Sequence, residues 1–115
     1  MLSRVILTMQ EVEFLGSTRR EISSWDSDTR DRVGYQLYRV QQGLDPSDYK
    51  PMSSIGTGVR EIRIESGGQW RVIYTAKFNN VVYVLEAFQK KTGRTPRGVI
   101  DNAKARLKAI EGEKV

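Results

Sequence analysis

The 115-residue chain contains no histidine and no cysteine. The first absence removes the commonest general base near neutral pH and the commonest metal ligand. The second removes disulfides and thiolate chemistry, which fits a reducing cytoplasm. No apolar run approaches the roughly 20 residues that span a bilayer, so no membrane contact of that kind is expected. The opening MLSRVILTMQ is too short in its apolar part, and too soon followed by Glu11 and Glu13, for a secretory signal. Repeats and low-complexity tracts are also missing. Any catalysis must therefore run on carboxylates, Lys, Arg, Tyr or the groups of a partner, and neither a metal nor another cofactor is expected.

What the chain has is positive charge, unevenly placed. A hydrophobic content of 38% with 29% charged residues suits one soluble globular domain over residues 1–115, with 1–10 as a candidate N-terminal extension. The net charge is +5. Residues 1–57 hold seven Lys/Arg against eight Asp/Glu, whereas residues 58–115 hold twelve against six. A basic half of this kind favours a polyanionic partner such as nucleic acid, the alternative being a basic surface kept for solubility.

The hydrophobic periods divide the chain in the same place. VEFLG (12–16) predicts a short strand. Ser17 or Thr18 then opens a short helix, with Thr18 and Glu21 at capping-box spacing and Ile22 and Trp25 facing the core. A second helix is expected from Ser27 or Asp28, its stripe made by Val33, Leu37, Val40 and Leu44. Gly43 and the loop LDPSDYKP end it. From residue 58 the period becomes two. GVREIRIE, the turn SGGQ, QWRVIYTAKF, the turn Asn79-Asn80 and VVYVLEAF predict three consecutive antiparallel strands. Thr95 as N-cap and Pro96 at the first position predict a last helix with Ile100, Ala103, Leu107 and Ile110 inward and Gly112 near its end. The expected fold is α+β, in the order β-α-α-β-β-β-α, with an antiparallel sheet and helices packed on one face.

Alternation then distributes the charges. If Ile62, Ile64, Val72 and Tyr74 meet the helices, Arg63, Arg71 and Lys77 project from the opposite side, and Lys90 shares the parity of Glu86. Neighbours on adjacent strands lie ~5 Å apart, so cations crowded there favour an anionic ligand. Plainer readings exist for each residue. Arg63 and Glu61 serve equally as cross-strand ion pairs, Glu86 as the partner of Arg71, and Lys77 as a charge that blunts a sheet edge. Arg97, Lys104 and Lys108 read as a solvated helix face or as contacts to rRNA phosphates. Trp70, Tyr74, Tyr83 and Phe88 read as core aromatics.

The run GVREIRI, then WRVIY, then VVYVLEAFQKKTGRTP, preceded by YKPM at 49–52, resembles the phage-derived HigB-like branch of the RelE/ParE toxin superfamily. The likeness covers roughly residues 12–110 and is most specific over Phe88 to Pro96. It implies a RelE-like fold and a cytoplasmic toxin of a type II toxin–antitoxin module. It also implies metal-independent, ribosome-dependent cleavage of mRNA. The implied partners are the ribosome, mRNA and an antitoxin, commonly one with a helix-turn-helix DNA-binding domain. The positions matching the basic residues around the scissile phosphate are Arg63, Arg71 and Lys90, with Lys91 adjacent. Many relatives in this branch carry histidine in the last strand where this chain has Glu86, a departure from the pattern; Glu86 is the fourth candidate catalytic residue. Lys77, Lys91, Arg94, Arg97, Lys104 and Lys108 are the candidate RNA contacts. ParE-type toxins share the fold but inhibit DNA gyrase without catalysis, so fold alone leaves that alternative standing.

Attack by a 2′-oxygen requires loss of its proton, stabilisation of the phosphorane charge and protonation of the leaving 5′-oxygen. Arg71 and Arg63 suit the second task, because the guanidinium fork matches phosphate oxygens. Lys90 suits the third. Glu86 or Glu61 is the candidate base.

Overall fold

A computed structural model describes residues 9–113. Residues 1–8, which hold most of the candidate extension, lie outside the described part; Gln10 is tied to the end of the second helix through Gln10 N–H to Gln41 O and Gln41 Nε2 to Gln10 O. The elements are β1 (Glu11–Phe14), α1 (Thr18–Ser23), α2 (Ser27–Gln41), β2 (Tyr49–Pro51), β3 (Val59–Glu65), β4 (Gln69–Thr75), β5 (Val81–Lys90) and α3 (Arg97–Glu113). The five strands form one sheet in the order β1-β5-β4-β3-β2. This is an α+β architecture of RelE-like kind, as the sequence predicts.

Two features of the sheet differ from expectation. The sheet is mixed, because β1 pairs parallel to β5. Without β1, the backbone groups along that side of the apolar β5 would form an open edge. The segment Tyr49–Pro51 is also a strand, paired antiparallel to Tyr49↔Ile62 through Pro51↔Arg60. A proline is tolerated there because β2 is an edge strand.

The helices do not share one face. Ile22, Trp25, Val33, Leu37 and Val40 of the α1–α2 region pack on Ile62, Ile64, Val72, Tyr74, Val82 and Val84. Ala103, Leu107 and Ile110 of α3 pack on the other side, against Val59, Ile73, Tyr83, Leu85 and Phe88. The cause is legible in the strands. Residues 71–75 and 82–88 are buried without interruption, and a strand buried at consecutive positions needs cover on both faces. No helix among the described residues is long and apolar enough to cross a membrane.

Local signals were decided by the available partners. At Asn79 and Asn80, φ values of 57° and 56° and the Val81 N–H to Phe78 O bond of 3.1 Å make the two-residue turn between β4 and β5. The Thr18–Glu21 capping box does not form. Ser17 is the N-cap without a side-chain bond, Thr18 is buried, and Glu21 instead accepts from Trp25 Nε1 at 3.1 Å. Asp26 caps α2, accepting from Thr29 N–H at 2.9 Å, and this bond lowers its carboxyl pKa. Leu44 leaves the apolar stripe and is half exposed, because α2 ends at Gln41 and Gly43 turns the chain at φ 83°. Gly43 N–H bonds Val40 O and Leu44 N–H bonds Arg39 O, which closes the helix end. The last helix begins at Arg97, one residue later than Thr95-Pro96 suggests, with Pro96 O accepting from Val99 and Ile100, and it runs past Gly112.

Candidate functional site

The α3 side of the sheet is apolar at one end only. Three cross-strand rows at the other end carry charge: Lys50–Glu61–Ile73–Glu86, then Arg63–Arg71–Phe88, then Glu65–Gln69–Lys90. Arg63 and Arg71 are therefore direct neighbours, with Glu61, Glu86 and Lys90 within one row of them. Three strands bring the four candidate catalytic residues into neighbouring rows, Arg63 and Arg71 as alternation led one to expect, Glu86 and Lys90 through a register that alternation left open.

The surface they form is not the open basic plane that alternation alone suggests. Arg71 is only 6% exposed and Glu61 only 1%, so this pair belongs to the interior. Arg71 donates through Nη1 to Trp70 O and through Nη2 to Gln69 Oε1, both at 3.0 Å. Its Nε stands 3.7 Å from Glu61 Oε1, an ion pair too long to be a hydrogen bond. Among the described residues, the buried side-chain polar atoms without a hydrogen bond are Thr18 Oγ1, Glu61 Oε2, Arg63 Nε and Arg71 Nε. The last three are adjacent on β3 and β4. Of these, Arg71 Nε faces the Glu61 carboxylate and is held by charge rather than by a hydrogen bond.

The open side of Arg71 is a cleft of about 360 Å³ lined by Gln69, Arg71, Lys90, Lys91, Thr92 and Gly93. Lys90 is half-buried and Lys91 exposed. Arg63, although paired in register with Arg71, lines a separate hollow between α2 and the edge of β3, together with Arg32 and Tyr35.

Glu86 is not the ion-pair partner of Arg71. Its Oε1 lies 3.2 Å from Arg106 Nη1, and its Oε2 accepts from Asn102 Nδ2 at 3.2 Å. Arg106 and Asn102 were missed by sequence reasoning. Their spacing of four residues beside the apolar stripe of α3 shows that they share a helix face, and only the packing of α3 shows that this face meets β5.

The candidate RNA contacts separate into three places. Lys91 belongs to the cleft. Lys77 lies beyond the end of β4 and lines a hollow with Leu44, Arg60 and Tyr74, away from Arg71. Arg97 is 90% exposed at the side chain and 3.8 Å from Asp101, Lys104 and Lys108 flank an exposed groove beside Ile55 and Leu107, and Arg94 is exposed in the turn before α3. Trp70, Tyr74, Tyr83 and Phe88 pack in the two cores. Tyr74, buried and with its pKa raised by that burial, lies beside Arg60, whose own pKa is raised chiefly by the bond to Asp45.

This geometry is joined by a match to known proteins. Residues 20–108 match the family described as phage derived protein Gp49-like. The chain belongs to that family. It is a phage-derived, toxin-like family of RelE/HigB-like kind, and such a toxin implies an antitoxin partner. The match includes β2 to β5, most of α3 and therefore every candidate catalytic residue. No curated protein matches the chain.

Proposed function

We propose that this protein is the HigB-like toxin of a type II toxin–antitoxin module and cuts mRNA on the translating ribosome in the cytoplasm. The observation that carries the proposal is Arg71: a buried guanidinium held by Trp70 O, Gln69 Oε1 and the Glu61 carboxylate, lining a cleft whose other cations are Lys90 and Lys91. A donor already fixed before the ligand arrives needs no reorganisation when charge develops on a phosphorane.

In this mechanism the 2′-oxygen passes its proton to a group of the surrounding ribosome as it attacks the adjacent phosphorus, and the bond to the 5′-oxygen breaks. The products are a cyclic phosphate and a 5′-hydroxyl. Arg71 neutralises the phosphorane, Arg63 adds positive potential from the neighbouring hollow, and Lys90 gives a proton to the leaving 5′-oxygen. Neither carboxylate stands free to take the 2′ proton, since Glu61 is buried against Arg71 and Glu86 is bonded to Asn102 and Arg106. Glu86 therefore serves first to hold α3 to the site. Holding the message in an attack-ready geometry falls to the ribosome, a positional gain large enough to explain a requirement for translation. Arg94, Arg97, Lys104 and Lys108 then dock on rRNA phosphates. An antitoxin with a helix-turn-helix domain neutralises the toxin and should raise its thermal midpoint, because it binds only the folded state.

Primer extension on translated and untranslated versions of one message provides the test. Cleavage of the translated version alone is expected. Equal cleavage of both removes the ribosome from the mechanism, and intact mRNA with trapped gyrase–DNA complexes establishes a gyrase inhibitor instead.

A further inference from the structure

The register between β4 and β5 contains one irregularity. Tyr74 pairs with Val84 and Ile73 pairs with Glu86, so Leu85 has no partner on β4. This β-bulge changes which face the rest of β5 presents. Before it, Val82 and Val84 point to the α1–α2 core while Tyr83 and Leu85 point to α3. Unbroken alternation would send residues 86, 88 and 90 to the α1–α2 side as well. Instead Glu86 bonds to α3, Phe88 packs in the α3 core and Lys90 lines the cleft of Arg71. The extra residue turns Lys90 to the side where Arg71 is.

A bulge disrupts the ladder, and its backbone groups need other partners. Arg106 supplies one. Its Nη1 donates to Leu85 O at 2.6 Å and also lies 3.2 Å from Glu86 Oε1, while Asn102, one turn earlier, donates to Glu86 Oε2. Room for this guanidinium is made by Gly16, at φ 55°, where a Cβ would collide with it. Bulge, carboxylate, helix and glycine thus form one clamp.

We propose that Arg106 is a positioning residue for the cleft: by holding the Leu85–Glu86 bulge it keeps Lys90 on the face of Arg71. The proposal rests on the cleft being a phosphate site, so its test includes a measurement that does not depend on RNA cleavage. The backbone amide shifts of Arg71 and Lys90 are followed by NMR as inorganic phosphate is added, alongside single-turnover cleavage on saturating programmed ribosomes. In Arg106→Ala the shared phosphate response of Arg71 and Lys90 should be lost. The cleavage rate should fall about ten- to hundredfold with ribosome affinity retained, because a misplaced group affects the reacting geometry more than docking. Arg106→Lys, which keeps a donor for Leu85 O and endangers folding less, should recover part of both. Leu107→Ala serves as a comparator that loosens α3 without touching the bulge, and should keep the phosphate response at a similar loss of stability.

An unchanged phosphate response and rate in Arg106→Ala overturns the proposal. Equal losses in Leu107→Ala overturn it as well, since they would trace to helix docking alone. If the wild type responds to phosphate but cuts no mRNA, and Arg106→Ala loses that response, the nuclease reading fails and the positioning role stands. If the wild type shows no phosphate response at Arg71 and Lys90, both fail together.

Discussion

The two faces of the sheet are built from the same three strands to different ends. On the α1–α2 side, Ile62, Ile64, Val72, Tyr74, Val82, Val84 and Ala87 make an apolar layer. On the α3 side, Val59, Ile73, Tyr83, Leu85 and Phe88 give way along the strands to Glu61, Arg63, Arg71, Glu86 and Lys90. The first face stabilises the fold through area removed from water. The second accepts buried ion pairs, whose desolvation offsets much of their attraction and makes them poor sources of stability. Under the proposed function such a layer serves phosphate rather than folding. Arg71 joins the two descriptions, because it is as buried as a core residue and lines a cleft.

Substitutions should separate the faces. The largest effect is expected for Arg71→Ala, which strands Glu61 as an unpaired buried charge, at a cost of about 3–5 kcal/mol in denaturant unfolding. Arg71→Lys keeps a positive charge opposite Glu61 but loses the guanidinium fork. Its stability should fall much less, while single-turnover cleavage falls by about 10²–10³, the range for loss of one donor to a developing oxyanion. A variant equally active as lysine would show that charge alone suffices there. Ile62→Ala, on the apolar face at 0% exposure, should cost about 2–5 kcal/mol of stability and leave the rate per folded molecule unchanged. A fall in that rate would mean that the two faces are coupled.

Smaller effects probe the periphery. Arg97→Ala and Lys108→Ala should each lower the slope of ribosome affinity against log salt by about 0.7 to 0.9, with the rate on bound ribosomes little changed. The least effect concerns acid stability. The Asp26 carboxyl is held below its ordinary 3.8 mainly by the Thr29 N–H. A lowered folded pKa contributes stability above the unfolded value that is lost as pH falls through the folded one. Asp26→Ser keeps a cap but not the charge, so its unfolding free energy should vary less with pH below 3.8 than that of the wild type.

Residue pattern alone carried the element order apart from β2, because alternation in GVREIRIE and QWRVIY and the helical stripe of Val33, Leu37 and Val40 report which side meets the core. It also carried the grouping of Arg63 with Arg71, since a three-residue turn leaves only one register in which both apolar faces coincide. The burial of Arg71, its pairing with Glu61 rather than Glu86, and the roles of Asn102 and Arg106 were not legible. The last depend on α3 crossing the sheet, a contact between segments far apart in sequence, and the first two on how neighbouring side chains on β3 and β4 settle against one another.

Composition and period by themselves determined the fold class, the basic second half and the exclusion of histidine and thiol chemistry, because these follow from which atoms the chain contains and from spacings along it. Tertiary structure alone decided that α3 covers the face opposite α1 and α2, and that one unpaired residue on β5 turns Lys90 towards Arg71. Parity cannot reveal an inserted residue, because β5 is buried almost throughout and a switch of faces leaves no mark in its pattern. Only the partner strand and the helix above it fix where that alternation is broken.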